Sequence, residues 1–390
     1  MSEAFIVDAV RTPVGKRNGM LSRTRPDDLL ALCLKELVER TGVDPGQVED
    51  VIAGCVSQVG EQSMNMAREA ALIAGFPAEV PGTTVERFCG SGQQAVNFAA
   101  QAVKSGAMDI VIGGGVESMS RIPMGSDALA GPDPFGDSAG PISPKLAALY
   151  EIIPQGISAN RIAKKYGITR EAMDRFSLDS HKKAVVAIDE GRFKRETVAV
   201  EVPENGSSRI VDTDEGPRRE TTYEKIASLP PAFEPDGMIT AGNSSQISDG
   251  AAAVLVMSEE KIKELGLTPR ARVVATAAVG TDPTLMLEGP IPATRKVLAK
   301  AGLKLSDIDL FEVNEAFASV VLAWLKEVGA DPEKTNYNGG AVAIGHPLGS
   351  TGARLITTLL NELDRQKARY GLVTMCIGHG MGTGTVIQRL

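Results

Sequence analysis

Cys89 stands in Arg87-Phe-Cys-Gly-Ser-Gly, directly before a segment whose apolar residues Ala95, Phe98, Ala99, Ala102 and Val103 recur at helical spacing. A thiol at a helix N-terminus meets unpaired backbone N–H groups and the positive end of the helix dipole, so its pKa is expected to fall. Gly90 and Gly92 would then let a substrate approach the backbone. The opposing reading is a small buried cysteine, and position alone does not separate the two. His346 is one of three histidines and lies in Gly339-Gly-Ala-Val-Ala-Ile-Gly-His-Pro-Leu-Gly, where glycines and a proline would hold an imidazole rigidly. Its alternative is a turn histidine satisfied by backbone. Cys376 ends the apolar run Leu372–Met375 and enters Gly378-His379-Gly380, a nest of N–H donors suited to a developing oxyanion or to a phosphate. Asn314 follows a strand-like run, and capping a helix explains it better than positioning a water. His181, in Asp179-Ser-His-Lys-Lys, reads as a solvated surface residue, and Cys33 and Cys55 read as core.

The elements that would position these residues alternate between strand and helix. Phe5–Val10, Val51–Ala53 and Ile110–Ile112 are strand-like, and Leu29, Leu32, Cys33 and Leu37 mark one helical face. Val273–Ala275, Asp309–Val313 and Leu372–Met375 are strand-like in the last third, with helices opened by Pro292 and marked by Ile356, Leu359, Leu360 and Leu363. In each part a Gly-rich turn precedes a helix and the next strand runs into a glycine cluster, CGSG…DIVIGGG and GHPLGSTG…LVTMCIGHG. Two copies of one α/β unit account for this order. Between them, prolines at 123, 132, 134, 141, 144 and 154 and then charged helical stretches indicate an insertion with helices of its own. Ala251–Met257 is expected to return the chain to the first sheet.

Composition narrows the function. A chain of 390 residues exceeds what one core usually serves. Its 41 basic against 49 acidic residues give no support for nucleic-acid binding by bulk charge. Four cysteines without CxxC pairing argue against a disulfide framework or a metal site and for a reducing compartment. No G-x-G-x-x-G follows the first strand, so a dinucleotide site is weakly signalled. Without a signal-peptide pattern or a long apolar run, a cytoplasmic protein with no membrane insertion is expected.

Cys89-Gly-Ser-Gly, Asn314-Glu-Ala-Phe, Gly345-His-Pro and Cys376-Ile-Gly, in this order, resemble the four active-site fingerprints of the thiolases. The resemblance spans nearly the whole chain and includes Gly242-Asn-Ser-Ser-Gln-Ile-Ser-Asp-Gly-Ala. It implies an α/β fold of duplicated βαβαβαββ halves forming a five-layered α-β-α-β-α core with an inserted loop domain. The expected boundaries are 1–118 for the N-terminal half, 119–248 for the loop domain, 249–269 for the return and 270–390 for the C-terminal half. The resemblance further implies ping-pong acyl transfer, with coenzyme A and acyl-CoA as partners and no permanently bound cofactor or metal. His346 would take the proton of Cys89, Cys376 would act as acid and base, and Asn314 would hold a water. The N–H groups of Cys89 and Gly378 would form an oxyanion site. By motif position Arg218, Ser245, Leu229, Phe233 and Phe317 would contact coenzyme A or line its tunnel. A homodimer or homotetramer is implied as well.

Three positions depart from the family pattern: His379 where many members carry glycine, Gln155 where short-chain enzymes often carry methionine, and Ser244 beside Ser245. The activity so implied is thiolytic cleavage of 3-ketoacyl-CoA to acetyl-CoA and a shortened acyl-CoA, or its reverse. Acetoacetyl-CoA synthesis and acyl-CoA binding without catalysis are the alternatives.

Overall fold

The computed structural model describes residues 3–129, 140–204 and 206–390; Pro132 and Pro134 of the proline-rich segment lie outside them. In the first half, strands Asp50–Gly54 and Gly82–Val85 run parallel, as do Asp50–Gly54 and Ile110–Ser118. Ser248–Ser258 is antiparallel to both Ile110–Ser118 and Ala4–Arg11. The second half repeats this arrangement. Leu310–Val313 is parallel to Tyr370–Ile377, which is followed by antiparallel Met381–Arg389 and then antiparallel Ala271–Gly280. Where the first half has its edge strand Gly82–Val85, the second has only a parallel bridge between Phe311 and Thr335.

The halves do not form separate sheets. Phe5 and Ile6 pair with Arg272 and Ala271, joining the strands of both halves into one ten-stranded sheet. Side-chain alternation along each strand then sorts the layers. Phe5, Val7, Val51, Ala53, Ile110 and Ile112 face helices Pro26–Thr41 and Met66–Ile73. Their neighbours Ile6, Ile52 and Val111 face the opposite way, into a core shared with Val273, Leu310, Val373 and Ile387 of the second half. That central core is filled by helices Ser91–Ser105 and Leu348–Gln366. Phe311, Leu372 and Val386 close the far side against helices Pro290–Ala301 and Ala318–Val328. The order of layers is α-β-α-β-α.

The strand that runs into Gly113-Gly114-Gly115 does not end there but continues to Ser118. A Cβ on Gly113 would lie 2.6 Å from the Cα of Val96 and one on Gly115 would lie 2.0 Å from the carbonyl oxygen of Gly349, so these two glycines let helices sit close against the strand.

Between Ser118 and Ser248 the chain forms helices Gln155–Tyr166, Arg170–Asp189 and Tyr223–Ala227 and the ladder of Val200–Glu204 with Ser207–Val211. A buried cation ties this excursion to the first strand. Arg11 donates to both carboxylate oxygens of Asp214 at 2.7 and 2.9 Å and to Glu196 at 2.6 Å. Glu196 also accepts from Thr358 at 2.9 Å, so the excursion reaches the central helix.

Candidate active site

The two central helices start at the same place. A Cβ on Gly92 would lie 2.6 Å from the carbonyl oxygen of Gly349, and one on Gly54 would lie 2.5 Å from the backbone nitrogen of Gly92. Only glycine allows such approach, which draws the segments just before each helix together. Glu117, fully buried at the end of its strand, locks the junction. Its carboxylate accepts from the backbone N–H groups of Val56, Ser57 and Gly349 at 2.9–3.1 Å and from Gln62 at 2.8 Å. Cys89, Leu348, Met375 and Ile377 consequently share one apolar cluster, and the segments carrying Cys89, His346 and Cys376 converge there.

Cys89 is buried between Phe88, held at a left-handed φ of 43°, and the first turn of helix Ser91–Ser105. The backbone N–H groups of Gly378 and of Cys89 itself and the side-chain amide of Gln155 act on its thiol in favour of the thiolate. The expected fall in pKa does not occur. Burial outweighs these three donors and pushes the thiol up to about 11. The proposed substrate access at Gly90 and Gly92 is also corrected. Gly92 is filled by Gly349, and a Cβ on Gly90 would run into the side chain of Ile377. Cys376 is fully buried, and burial together with the neighbouring Cys89 raises its pKa well above that of a free thiol.

His346 follows Gly345, where a φ of 116° and the side chain of Ser248, 2.9 Å at its Cβ from where a Cβ on Gly345 would lie, demand glycine. The backbone N–H of His346 donates to the carbonyl of Gln246 at 3.1 Å. Glu315 secures the loop before it, accepting from Val342 N–H, Ser180 Oγ and Asn336 Nδ2. The ring sits 3.2 Å from Asn314 Nδ2 through Nε2, and 2.7 Å from Thr351 Oγ1 through Nδ1. An amide nitrogen can only donate, so Nε2 carries the lone pair and Nδ1 the proton. Burial first, then Arg354, lowers the pKa of His346 to about 3. Asn314 emerges from strand Leu310–Val313, and its Oδ1 is buried without a hydrogen-bond partner among the described residues. It holds no helix cap, so the capping expectation fails. The resting site is therefore a pair of neutral thiols beside a neutral imidazole.

Phe317 packs in one cluster with Cys376, and its ring meets that of Phe233 edge-on at 6.0 Å between centroids. Phe233 is half open to solvent at 44% exposure. Ser245 is held next to Phe317 by its N–H bond to the carbonyl of Ala316. Arg218 and Leu229 line a separate cleft of about 330 Å³ with Lys225, Gly242, Gln246 and His181. Ser245, Phe233 and Phe317 do not line that cleft.

His181 is not a surface residue. It is 5% exposed, accepts from the backbone N–H of Arg218 at 3.1 Å, and has its pKa lowered to about 4 by burial and by Arg218. The charged run around it misled because helix Arg170–Asp189 turns His181 inward with Ser177, Ser180 and Ala184, while the charged residues beside it stay outside. Gln155, Glu117 and Thr351 were not read as site residues either; Glu117 meets Gly349 far along the chain, and Thr351 meets His346 only because the first helical turn brings it back. His379 takes a left-handed φ of 59°, is exposed, and meets the Phe88 ring edge-on at 4.9 Å. Among the described residues no group of His, Cys, Asp and Glu is arranged to hold a metal ion, and no helix is long and apolar enough to cross a membrane.

Comparison with known proteins agrees across the whole chain. Residues 4–260 match the family model "Thiolase, N-terminal domain" and residues 267–389 match "Thiolase, C-terminal domain". The steroid 3-ketoacyl-CoA thiolase FadA6 of Mycobacterium tuberculosis is 52% identical over 100% of this chain and 95% of its own length. A 3-ketoacyl-CoA thiolase of Bacillus subtilis is 45% identical over the full length of both chains. The crystal structure of an acetyl-CoA acetyltransferase from Bacillus anthracis superposes with a TM-score of 0.92 at 41% identity, covering 100% of this chain and 99% of that one.

Proposed function

The chain belongs to the thiolase family of acyltransferases, and on that premise we propose that it is a 3-ketoacyl-CoA thiolase. One observation carries the reading: buried Cys89 packs in one cluster with Met375 and Ile377, which flank the second buried thiol, Cys376, so that Cys89 raises the pKa of Cys376.

In this reading Nε2 of His346 takes the Cys89 proton, and the thiolate attacks the 3-keto carbon of the substrate. The N–H groups of Cys89 and Gly378, which favour the thiolate, receive the oxyanion. Collapse breaks the Cα–Cβ bond, leaving the acyl group on Cys89 and an acetyl-CoA enolate that Cys376 protonates. The enolate oxygen faces His346, now protonated, and the amide of Asn314. Cys376 then takes the proton of an incoming coenzyme A thiol, which attacks the acyl-enzyme and releases the shortened acyl-CoA. Neutral resting groups suit this sequence, since each thiol is ionised only when a base and a carbonyl are present.

The cleft of Arg218 and Lys225 offers cations to the phosphates of coenzyme A, and Phe233, Phe317, Leu229 and Ser245 would guide the pantetheine arm inward. The reading includes a cytoplasmic protein acting as a homodimer or homotetramer, for which sedimentation analysis is the test. A second reading, acetoacetyl-CoA synthesis, is favoured by the acetyl-CoA acetyltransferase structure.

Thiolysis rates on acetoacetyl-CoA and on a medium-chain 3-ketoacyl-CoA separate the two. Turnover of both supports the proposal; turnover of acetoacetyl-CoA alone overturns it in favour of the second. Intact-mass measurement after adding acetyl-CoA should show one acetyl group, absent in Cys89→Ala.

A further inference from the structure

We propose that Thr351 is a positioning residue that holds His346 in the tautomer able to act as base toward Cys89. The inference rests on the proposed function only for the identity of the proton donor; the hydrogen-bond chain itself is independent of it.

Thr351 lies in the first turn of helix Leu348–Gln366 and is fully buried. Its Oγ1 makes two short contacts, 2.7 Å to Nδ1 of His346 and 2.8 Å to the carbonyl oxygen of Pro347. The hydroxyl has one proton, and a carbonyl has none to give, so that proton goes to Pro347. Oγ1 then has only lone pairs to offer the imidazole, and Nδ1 must carry the ring proton. On the opposite edge Asn314 Nδ2 lies 3.2 Å from Nε2, which fits the same arrangement. Thr351 specifies the tautomer. In the other tautomer Nε2–H would face an N–H, and the ring would have no lone pair on the side of the proposed chemistry.

The chain also acts during proton transfer. When the Cys89 S–H bond breaks and an Nε2–H bond forms, the hydrogen bond from Asn314 Nδ2 to that lone pair is given up, the sulfur keeps the electron pair and the ring becomes an imidazolium. Its Nδ1–H then points at an oxygen already polarised by the carbonyl of Pro347, which stabilises the cation. Few other groups are available to do so. Arg354, the charged residue that acts on His346, is of the same sign and opposes protonation. Among metal-free relays this is the arrangement by which an outer partner sets which ring nitrogen is basic.

Replacing Thr351 by valine keeps the shape and removes the hydroxyl; serine keeps the hydroxyl. With only three histidines in the chain, His181→Gln and His379→Gln assign the ¹⁵N resonances of His346. The proposal expects protonated Nδ1 in the unmodified protein and in T351S, and a shift toward protonated Nε2 in T351V. The rate of Cys89 carbamidomethylation by iodoacetamide at pH 7.5 should fall about 10-fold or more in T351V and recover in T351S, within the roughly 10²–10⁴-fold range of a positioned base. An unchanged tautomer in T351V, or alkylation within about twofold of the unmodified protein, would overturn it. So would equal losses in T351V and T351S when thermal melting shows both folded. Neither measurement requires acyl-CoA turnover, so failure of the thiolase reading is seen separately, in the substrate assays.

Discussion

Gly92 and Gly349 meet backbone to backbone, so that a methyl group on the first would lie 2.6 Å from the carbonyl oxygen of the second. This contact sets how closely the two central helices begin. Gly92→Ala is expected to lower stability by about 1–3 kcal/mol through overpacking. Activity should fall further than the loss of folded protein explains. Urea unfolding combined with a thiolysis assay on the folded fraction checks both.

Arg11 is a cation enclosed with two carboxylates. Arg11→Ala leaves Asp214 and Glu196 buried without it and should cost about 3–5 kcal/mol. Replacing Arg11, Asp214 and Glu196 together by apolar residues of similar size should cost much less than the single change. Comparing midpoints of denaturant unfolding for the single and triple variants tests the sign of this difference.

His346 and His181 are neutral in the folded protein down to about pH 3 and about pH 4. Unfolded, each binds a proton below about pH 6.5. From about 6.5 down to those values the unfolded chain binds more protons, so each imidazole makes stability fall as pH falls. The slope approaches about 1.4 kcal/mol per pH unit per histidine. Buried Glu117 and Glu315, with pKa values raised mainly by burial, act in the opposite sense, so the test is a difference. Relative to the unmodified protein, His181→Gln should lose less stability between pH 6.5 and pH 4.5 in urea titrations.

Arg218 and Lys225 are exposed cations on one cleft. Replacing either by alanine should raise KM for coenzyme A roughly 10-fold, the equivalent of about 1.4 kcal/mol, and leave kcat nearly unchanged. The increase should shrink at high salt. Equal effects on kcat and KM would place these residues elsewhere in the reaction.

Much of this was legible in the residues. The alternation of strand and helix, its repetition and the excursion between the halves are local patterns, and local patterns follow from backbone geometry and apolar spacing. The segments carrying Cys89, Asn314, His346 and Cys376 were visible because each breaks a regular element with glycine or a polar residue. What each side chain meets there was not visible. Cys89 was expected to be acidified by a helix terminus, yet its burial is set by Ile377 and Leu348, more than 250 positions away in the chain. Burial outweighs the nearby N–H donors. His181 looked solvated by its neighbours in the chain, but only packing decides which face of a helix turns inward. The glycines around the site were assigned to substrate approach, whereas several serve contact between helices and strands. Residue type and spacing determined the elements and the chemistry available. Tertiary structure alone decided solvation, hydrogen-bond partners and the tautomer of His346, because those depend on groups brought together from distant parts of the chain.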